Sequence, residues 1–382
     1  MTERLYYADS SISSFSATVV RCEENKGRFE IVLDKTAFFP EGGGQSGDSG
    51  MLDSVRVFDT HEKGGEVIHY CDTPIDIGKN VSGKLDFDLR FRRMQNHSGE
   101  HIVSGIVNQM FGFDNVGFHM GSEDITVDYN GYLERDQLEE IERRANAAVF
   151  ANLEIKTEFP NSETLSQMSY RSKLELTENV RIVTIDGIDT CACCAPHVKR
   201  TGEIGIIKLL DAIHYKGGIR IHLLCGYDAL EDYGARYEAT RKMANEMCVK
   251  QNEVADAFSK KLLEFSELRY KYSRLKAEIT DAKIARLAPT EGNILVFEDE
   301  SDGDSMRRIA DAGADLCSGI CAVFGKSGEG YSYVCVSRHI DLRALSKEIN
   351  AAISGRGGGS SQMIRGSCSG AREEIEGYFK KQ

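Results

Sequence analysis

Through residue 90 the chain alternates apolar and polar positions in short runs. Examples are Phe29-Glu30-Ile31-Val32-Leu33, Val55-Arg56-Val57-Phe58 and Gly65-Glu66-Val67-Ile68-His69-Tyr70, punctuated by Gly and Asp. A period of two broken by turn residues predicts strands, and several such runs at short spacing predict a β-rich, barrel-like unit. Between Lys35 and Gly50 the alternation gives way to a glycine-rich loop, Phe38-Phe39-Pro40-Glu41-Gly42-Gly43-Gly44-Gln45. From Arg90 the period lengthens: Met94, His97, Ser98, His101, Ile102, Gly105, Ile106 and Met110 fall at helical spacing, with Gly112 as the stop signal. A second helix is predicted over 135–151, then strands over 155–159, 180–185, 203–210 and 219–224.

No proline separates Pro196 from Pro289, and within that gap Val254, Phe258, Leu262, Phe265, Leu268, Tyr272, Leu275, Ile279 and Ala282 step by three or four residues. This predicts a long amphipathic helix or helical hairpin, its stripe serving as core or as a coiled-coil seam that permits self-association. Beyond Gly292, strands (293–297, 320–324, 331–337) mix with helices (305–315, 342–353), and the chain then enters a glycine-rich loop, Gly355-Arg356-Gly357-Gly358-Gly359-Ser360. The expected fold class is α+β. It comprises a β-barrel-like domain (1–90), an α+β domain (91–228), a long helical linker (229–290) and a C-terminal α/β domain (291–382).

With 41% hydrophobic and 28% charged residues and 5 prolines in 382, the composition is that of a soluble globular protein. No apolar run approaches a membrane span, and the polar start of the chain is not expected to be a signal peptide. Lys and Arg number 47 against 60 Asp and Glu, a formal charge of −13. That balance argues against a generic DNA-coating protein and leaves room for one local basic face gripping RNA. The 11 cysteines, three of them in Cys191-Ala192-Cys193-Cys194, read as reduced thiols of a cytoplasmic protein, with the cluster as a metal or catalytic site.

His97 and His101, four apart on the predicted helix, share one face and can reach one ion. Far downstream, Cys193 and His197 are again four apart, at a strand-to-turn junction. Two such pairs complete the tetrahedral donor set that zinc prefers. Cys191 and Cys194 read as bystanders. The same helix also spells H-x-x-E-H, the pattern of an inverzincin-type metallopeptidase, in which Glu100 would be the general base and Glu175 or Glu178 a third ligand. That alternative leaves Cys193, His197 and the C-terminal half without a role.

In order along the chain come Asp34-Lys35-Thr36-Ala37-Phe38-Phe39-Pro40-Glu41-Gly42-Gly43-Gly44-Gln45-Ser46-Gly47-Asp48, the His97/His101 pair, the Cys193/His197 pair running into Val198-Lys199-Arg200-Thr201-Gly202, and Lys216-Gly217-Gly218-Ile219-Arg220. This series resembles the editing domain of alanyl-tRNA synthetases and, over the full length, stand-alone alanyl-tRNA editing proteins of the AlaX long type. Threonyl-tRNA synthetase editing domains share the His and Cys pattern without the glycine loop. Residues Gly355 to Gly370 resemble the end of the DHH-associated domain that closes alanyl-tRNA synthetases, and no Asp-His-His triplet accompanies it. Where many relatives carry glycine in the Cys-to-His turn, this chain has Ala195-Pro196, which stiffens the turn and removes an amide donor.

The resemblance implies an aminoacyl-tRNA deacylase, a carboxylic ester hydrolase acting in trans on alanine tRNA mischarged with serine or glycine. Zn2+ would be held by His97, His101, Cys193 and His197. Four protein ligands describe a closed site, so either one ligand (His197 foremost) swings away or the metal orients substrate while another group handles water. Gln45 and Glu100 are the catalytic candidates. Thr36, Gly42, Gly43, Gly44, Gln45 and His119 are the candidates for holding the aminoacyl end. For the tRNA body the candidates are Arg269, Lys271, Arg274 and Lys276 on the linker helix, with Arg356 and Arg365 in the C-terminal domain. A homodimer through the linker or the C-terminal domain is a further expectation. An alternative of a different class is a non-catalytic tRNA-binding protein with structural zinc.

Overall fold

The computed structural model describes residues 1–121, 125–172, 180–299 and 302–380. It divides into two compact units, Met1–Lys242 and Met243–Gln382. Both mix helix and sheet, as the α+β reading requires.

In the first unit, six strands hydrogen-bond in a ring: Ser14–Asn25, Arg28–Leu33, Glu66–Cys71, Val55–Lys63, Gly50–Leu52 and Asn80–Leu85, the last pairing back onto the first. The alternating residues Ala17, Val19, Ile31, Leu33, Val57 and Val81 fill its interior together with Phe38. His69 is buried there, its Nδ1 donating to the Ile31 carbonyl at 3.0 Å and its Nε2 accepting from the Thr36 hydroxyl at 2.8 Å. Burial pulls its pKa down to about 4, so the ring is neutral in the fold. Below the ordinary value near 6.5 the unfolded chain takes up a proton that the folded chain refuses. The stability tied to His69 is therefore complete at neutral pH and is lost as pH falls toward 4. Urea unfolding should show roughly 2 kcal/mol less stability at pH 5 than at pH 7 from this group, a difference that His69→Gln removes.

Next to the ring runs the helix Phe87–Phe111, ended by Gly112 in the left-handed region. It is buried without a break from Met94 to Val107, including Gln95, Asn96, His97, Ser98, Glu100, His101 and Ser104. An amphipathic reading misses this. Sheets and loops enclose the helix on every side, and each buried polar group must then find a partner. Gly99 and Gly105 permit the enclosure, since a Cβ would stand 2.3 Å from Cys225 Sγ in the first case and 2.4 Å from the Ile188 carbonyl in the second. The surrounding elements are a four-stranded sheet (Ile207–Tyr215, Gly218–Cys225, Ile125–Tyr129, Asn115–Met120), a three-stranded sheet (Ile155–Glu158, Ile182–Ile185, Asp189–Ala192) and the helix Arg135–Phe150. The strand expected over 203–210 starts later, at Ile207, because Thr201–Ile204 form a 3-10 turn.

Where a long helix or a helical hairpin is expected, there are two helices, Gly226–Met247 and Val254–Ile284, separated by Cys248 with φ 54°. The second helix is mostly exposed: Phe258, Leu262, Phe265, Leu268, Tyr272, Leu275 and Ile279 are not core. Only Val254, at its start beside the turn Gln251–Glu253, and Thr280, near where the helix Gly303–Ala314 packs, are buried on it. In the second unit a five-stranded sheet runs in the order Ile294–Glu298, Cys321–Ser327, Gly330–Val336, Met363–Cys368, Gly355–Gly359. The supposed glycine-rich loop is thus its edge strand. Gly357 must lack a side chain because a Cβ would meet the Tyr333 hydroxyl and the Arg365 carbonyl, each at 2.4 Å.

Candidate metal centre

Gly42 and Gln45 exchange backbone hydrogen bonds, each 3.0 Å, around Gly43 and Gly44, which have φ of 61° and 83°. Two consecutive left-handed residues are what glycine supplies without strain. The turn docks on the strand Asn115–Met120, where Met120 N–H donates to the Gly44 carbonyl and a Cβ on Gly44 would stand 2.8 Å from the Phe118 carbonyl oxygen. Behind it, Asp48 and Arg90, both buried, form an ion pair that the Ala37 carbonyl and Phe39 N–H complete. This pair ties the loop to the first turn of the buried helix.

His97, His101, Cys193 and His197 are brought together, their ligand atoms all within 4.8 Å of one another. Cys193 Sγ lies 3.5 Å from His97 Nε2 and 3.4 Å from His197 Nε2. Zinc bonds of about 2.0 Å to nitrogen and 2.3 Å to sulfur at the tetrahedral angle set a nitrogen-to-sulfur edge of about 3.5 Å, so the donors fit such an ion. Each imidazole is also held from behind through Nδ1, by Gln45 Oε1 (3.1 Å), Asp189 Oδ2 (3.0 Å) and Ser98 Oγ (3.0 Å) for His97, His101 and His197 respectively. Acceptors on Nδ1 fix the tautomer that leaves the Nε2 lone pairs facing Cys193. Arg171 grips Asp189 through two hydrogen bonds of 2.7 and 2.8 Å.

The four donors are electrostatically coupled. Burial alone would push the Cys193 thiol up, but His97, His197 and His101 hold it well below the ordinary range. Burial takes His197 down to about 3, keeping it neutral. For His101, burial is outweighed by Cys191, Asp189 and Cys193, which hold it well above the usual value. Cys191 joins His101 and Asp189 in a second, three-membered cluster.

Beside the four donors opens a cleft of about 900 Å³, lined by His97, Glu100, His101, Cys193, Gly43 and Gly44 among others. His197 is not in its wall. Arg171 and Arg181 border it, as do Tyr7, Phe118 and Phe159. Glu100 is buried and accepts from Asn115 Nδ2 at 2.6 Å and from the Ser104 hydroxyl.

Several expected site residues lie elsewhere. Thr36 is buried inside the strand ring with its hydroxyl committed to His69 and Phe38 N–H, so it does not reach the cleft. His119 is exposed and not in the cleft wall, because its neighbours Phe118 and Gly117 face that way. Gly42 forms the turn but not the wall. Gln45 is fully buried behind His97, its Oε1 3.1 Å from that ring's Nδ1. Glu175 and Glu178, the third ligands of the peptidase alternative, lie outside the described residues. Arg269, Lys271, Arg356 and Arg365 are exposed in the second unit, whereas Arg274 pairs with Glu278 at 2.9 Å and Lys276 with Asp302. Asp189, Arg171, Ser98, Asn115 and Ser104 carried no signal in the sequence reading. Of these, Ser98 and Ser104 were accessible in principle, as polar residues on the histidines' helix.

A model described as the threonyl and alanyl tRNA synthetase second additional domain matches residues 180–237, and one for tRNA synthetases class II (A) matches 3–89. The alanyl-tRNA editing protein AlaX-L of Pyrococcus horikoshii is 28% identical, with 98% of this chain and 96% of that protein aligned. The alanine–tRNA ligase of Halobacterium salinarum is 32% identical over 87% of this chain, and that of Pyrococcus abyssi 28% identical over 99%. The chain spans 38% and 43% of those two ligases. A crystal structure of the C-Ala domain from Aquifex aeolicus alanyl-tRNA synthetase matches 24% of the chain and 92% of that domain, with 14% identity and a TM-score of 0.22. The chain is thus similar across nearly its whole length to an alanyl-tRNA editing protein, and to the matching part of alanine–tRNA ligases.

Proposed function

We propose that the protein is an aminoacyl-tRNA deacylase that removes serine, and glycine, from wrongly charged alanine tRNA in trans. The observation that carries this reading is the convergence of three imidazole Nε2 atoms and one thiol beside an open cleft walled by His97, His101 and Cys193, with every Nδ1 held from behind. Similarity to AlaX-L supports alanyl-tRNA editing as the general activity. In this reading 1–90 and 91–228 form the editing part, and the tRNA body is engaged by the linker helix through Arg269 and Lys271 and by 291–382, a DHH-associated domain, through Arg356 and Arg365.

His97, His101, Cys193 and His197 would hold one zinc ion. When bound there it supplies Lewis acidity toward the ester carbonyl. The chain's own residues do the rest. Gln45, Asp189 and Ser98 keep the imidazoles oriented. Gly43 and Gly44 let the terminal ribose approach backbone that a side chain would block. Arg181, bordering the cleft, offers positive charge to the phosphates of the acceptor end. Ala195 is fully buried and Pro196 lies beside it, so the Cys-to-His turn serves to aim ligands rather than to contact substrate. All eleven cysteines are free, as in a reducing cytoplasm. Among the described residues no helix is long and apolar enough to cross a membrane.

The test is release of labelled amino acid from seryl-, glycyl- and alanyl-tRNA(Ala). Serine should leave well faster than in buffer, and alanine more slowly than serine, because a size-based synthetase pocket rejects serine poorly and a second site must do so. Loss of serine no faster than in buffer, with tRNA still bound, would favour the binding protein with structural zinc.

A further inference from the structure

Among the described residues, four carboxylates are nearly sealed from solvent: Asp48, Glu100, Asp189 and Glu298. Three of them have a cation in contact. Asp48 has Arg90, Asp189 has Arg171 and His101, and Glu298 has Lys283. Glu100, at 3% exposure, has no ion pair with any described residue. Its donors are both neutral, the Ser104 hydroxyl and the Asn115 amide, and both reach the same oxygen, Oε1. Oε2 receives no hydrogen bond from the described residues, and it is not enclosed in the way that Gln45 Nε2 and Arg181 Nε are. Glu100 lines the same cleft as His97 and His101.

A buried carboxylate with no cation in contact is costly. Arg171, which grips Asp189, acts on Glu100 only from a distance, so the open oxygen of Glu100 can take a cation from the cleft. Asn115 and Ser104 fix the carboxyl group in place and leave its second oxygen open to the cleft. His97 and Glu100 are three apart on one helix, with β-carbons about 5–6 Å from each other, a span that one small amino acid bridges. We propose that Glu100 is the seat of the substrate's α-ammonium group, and that the protein therefore acts on esters of free α-amino acids in preference to N-blocked or hydroxy-acid esters. This rests on the deacylase reading of the same site. It makes Glu100 a substrate-binding residue rather than a base, with Asn115 and Ser104 as positioning residues.

The experiment compares seryl-tRNA(Ala) with the same tRNA carrying the isosteric hydroxy-acid ester, in which a neutral hydroxyl replaces the ammonium. Each rate is divided by its own rate in buffer. The wild-type protein should prefer the amino ester about 10–100-fold in kcat/KM, mainly through KM, as a hydrogen bond to a charged group implies. Glu100→Gln should lose that preference by falling on the amino ester alone, with metal content and thermal midpoint measured alongside. Equal loss on both esters, or a preference that survives Glu100→Gln, overturns the assignment. So does a wild-type protein that hydrolyses both esters equally, an arm that needs no variant to fold. Hydrolysis of neither ester would instead overturn the deacylase reading on which the inference rests.

Discussion

Cys193→Ser is expected to bind zinc more than about 100-fold more weakly and to lose hydrolysis of seryl-tRNA to the same degree. The thiol is the one soft donor in the set, and its histidine surroundings hold it well below the ordinary thiol range. Removing a ligand outright should exceed the loss of an outer partner, for which 10–100-fold in affinity is typical. Asp189→Asn supplies that smaller step, since Asp189 holds His101 through Nδ1 without entering the donor set. Cys191→Ser should keep its metal, because Cys191 belongs only to the second cluster and burial pushes its thiol up to about 11. Competition against a chelator with a colour change orders the three variants. Zinc held equally by Cys193→Ser and the wild type would remove the metal centre from the proposal.

Arg90→Met is expected to destabilise the fold by up to about 3 kcal/mol, the cost of leaving a buried Asp48 with Arg93 alone, 3.8 Å away. Arg90 is 1% and Asp48 2% exposed, so water cannot take the guanidinium's place. Replacing both together, Arg90→Met with Asp48→Leu, should cost less, since the charge then left is that of Arg93, which water reaches. Urea unfolding of the two variants measures the gap. Equal losses would mean that the guanidinium matters through its bond to the Ala37 carbonyl rather than through the charge. Because the pair joins the glycine-rich loop to the histidines' helix, Arg90→Met should also loosen the Gln45 hold on His97.

Periodicity was informative wherever one face of an element is wet. The strands of the first unit alternate, and the helix Arg135–Phe150 was legible to within a residue of its end. It also found the helix Phe87–Phe111 and its Gly112 stop, but not the burial of that helix on all sides, and it missed Gly355–Gly359, where composition suggested a loop although a neighbouring strand satisfies the backbone. The four donor residues were readable because i, i+4 spacing is a local signal. Their supports were not. Asp189 meets His101 across 88 residues and Gln45 meets His97 across 52, and nothing in either stretch marks the partner. Thr36 was misplaced for a related reason: its motif borders the site, but its hydroxyl turns inward to a histidine that sequence alone does not place there.

The tie between Gln45 and His97 has a practical side. An engineer wishing to transplant this centre as a small cassette would cut at the boundary between the strand ring and the helix that follows, and would leave one imidazole free to rotate. The smallest portable version must carry the first fifty residues' turn along with the helix, so the two halves of unit 1 are inherited together or not at all.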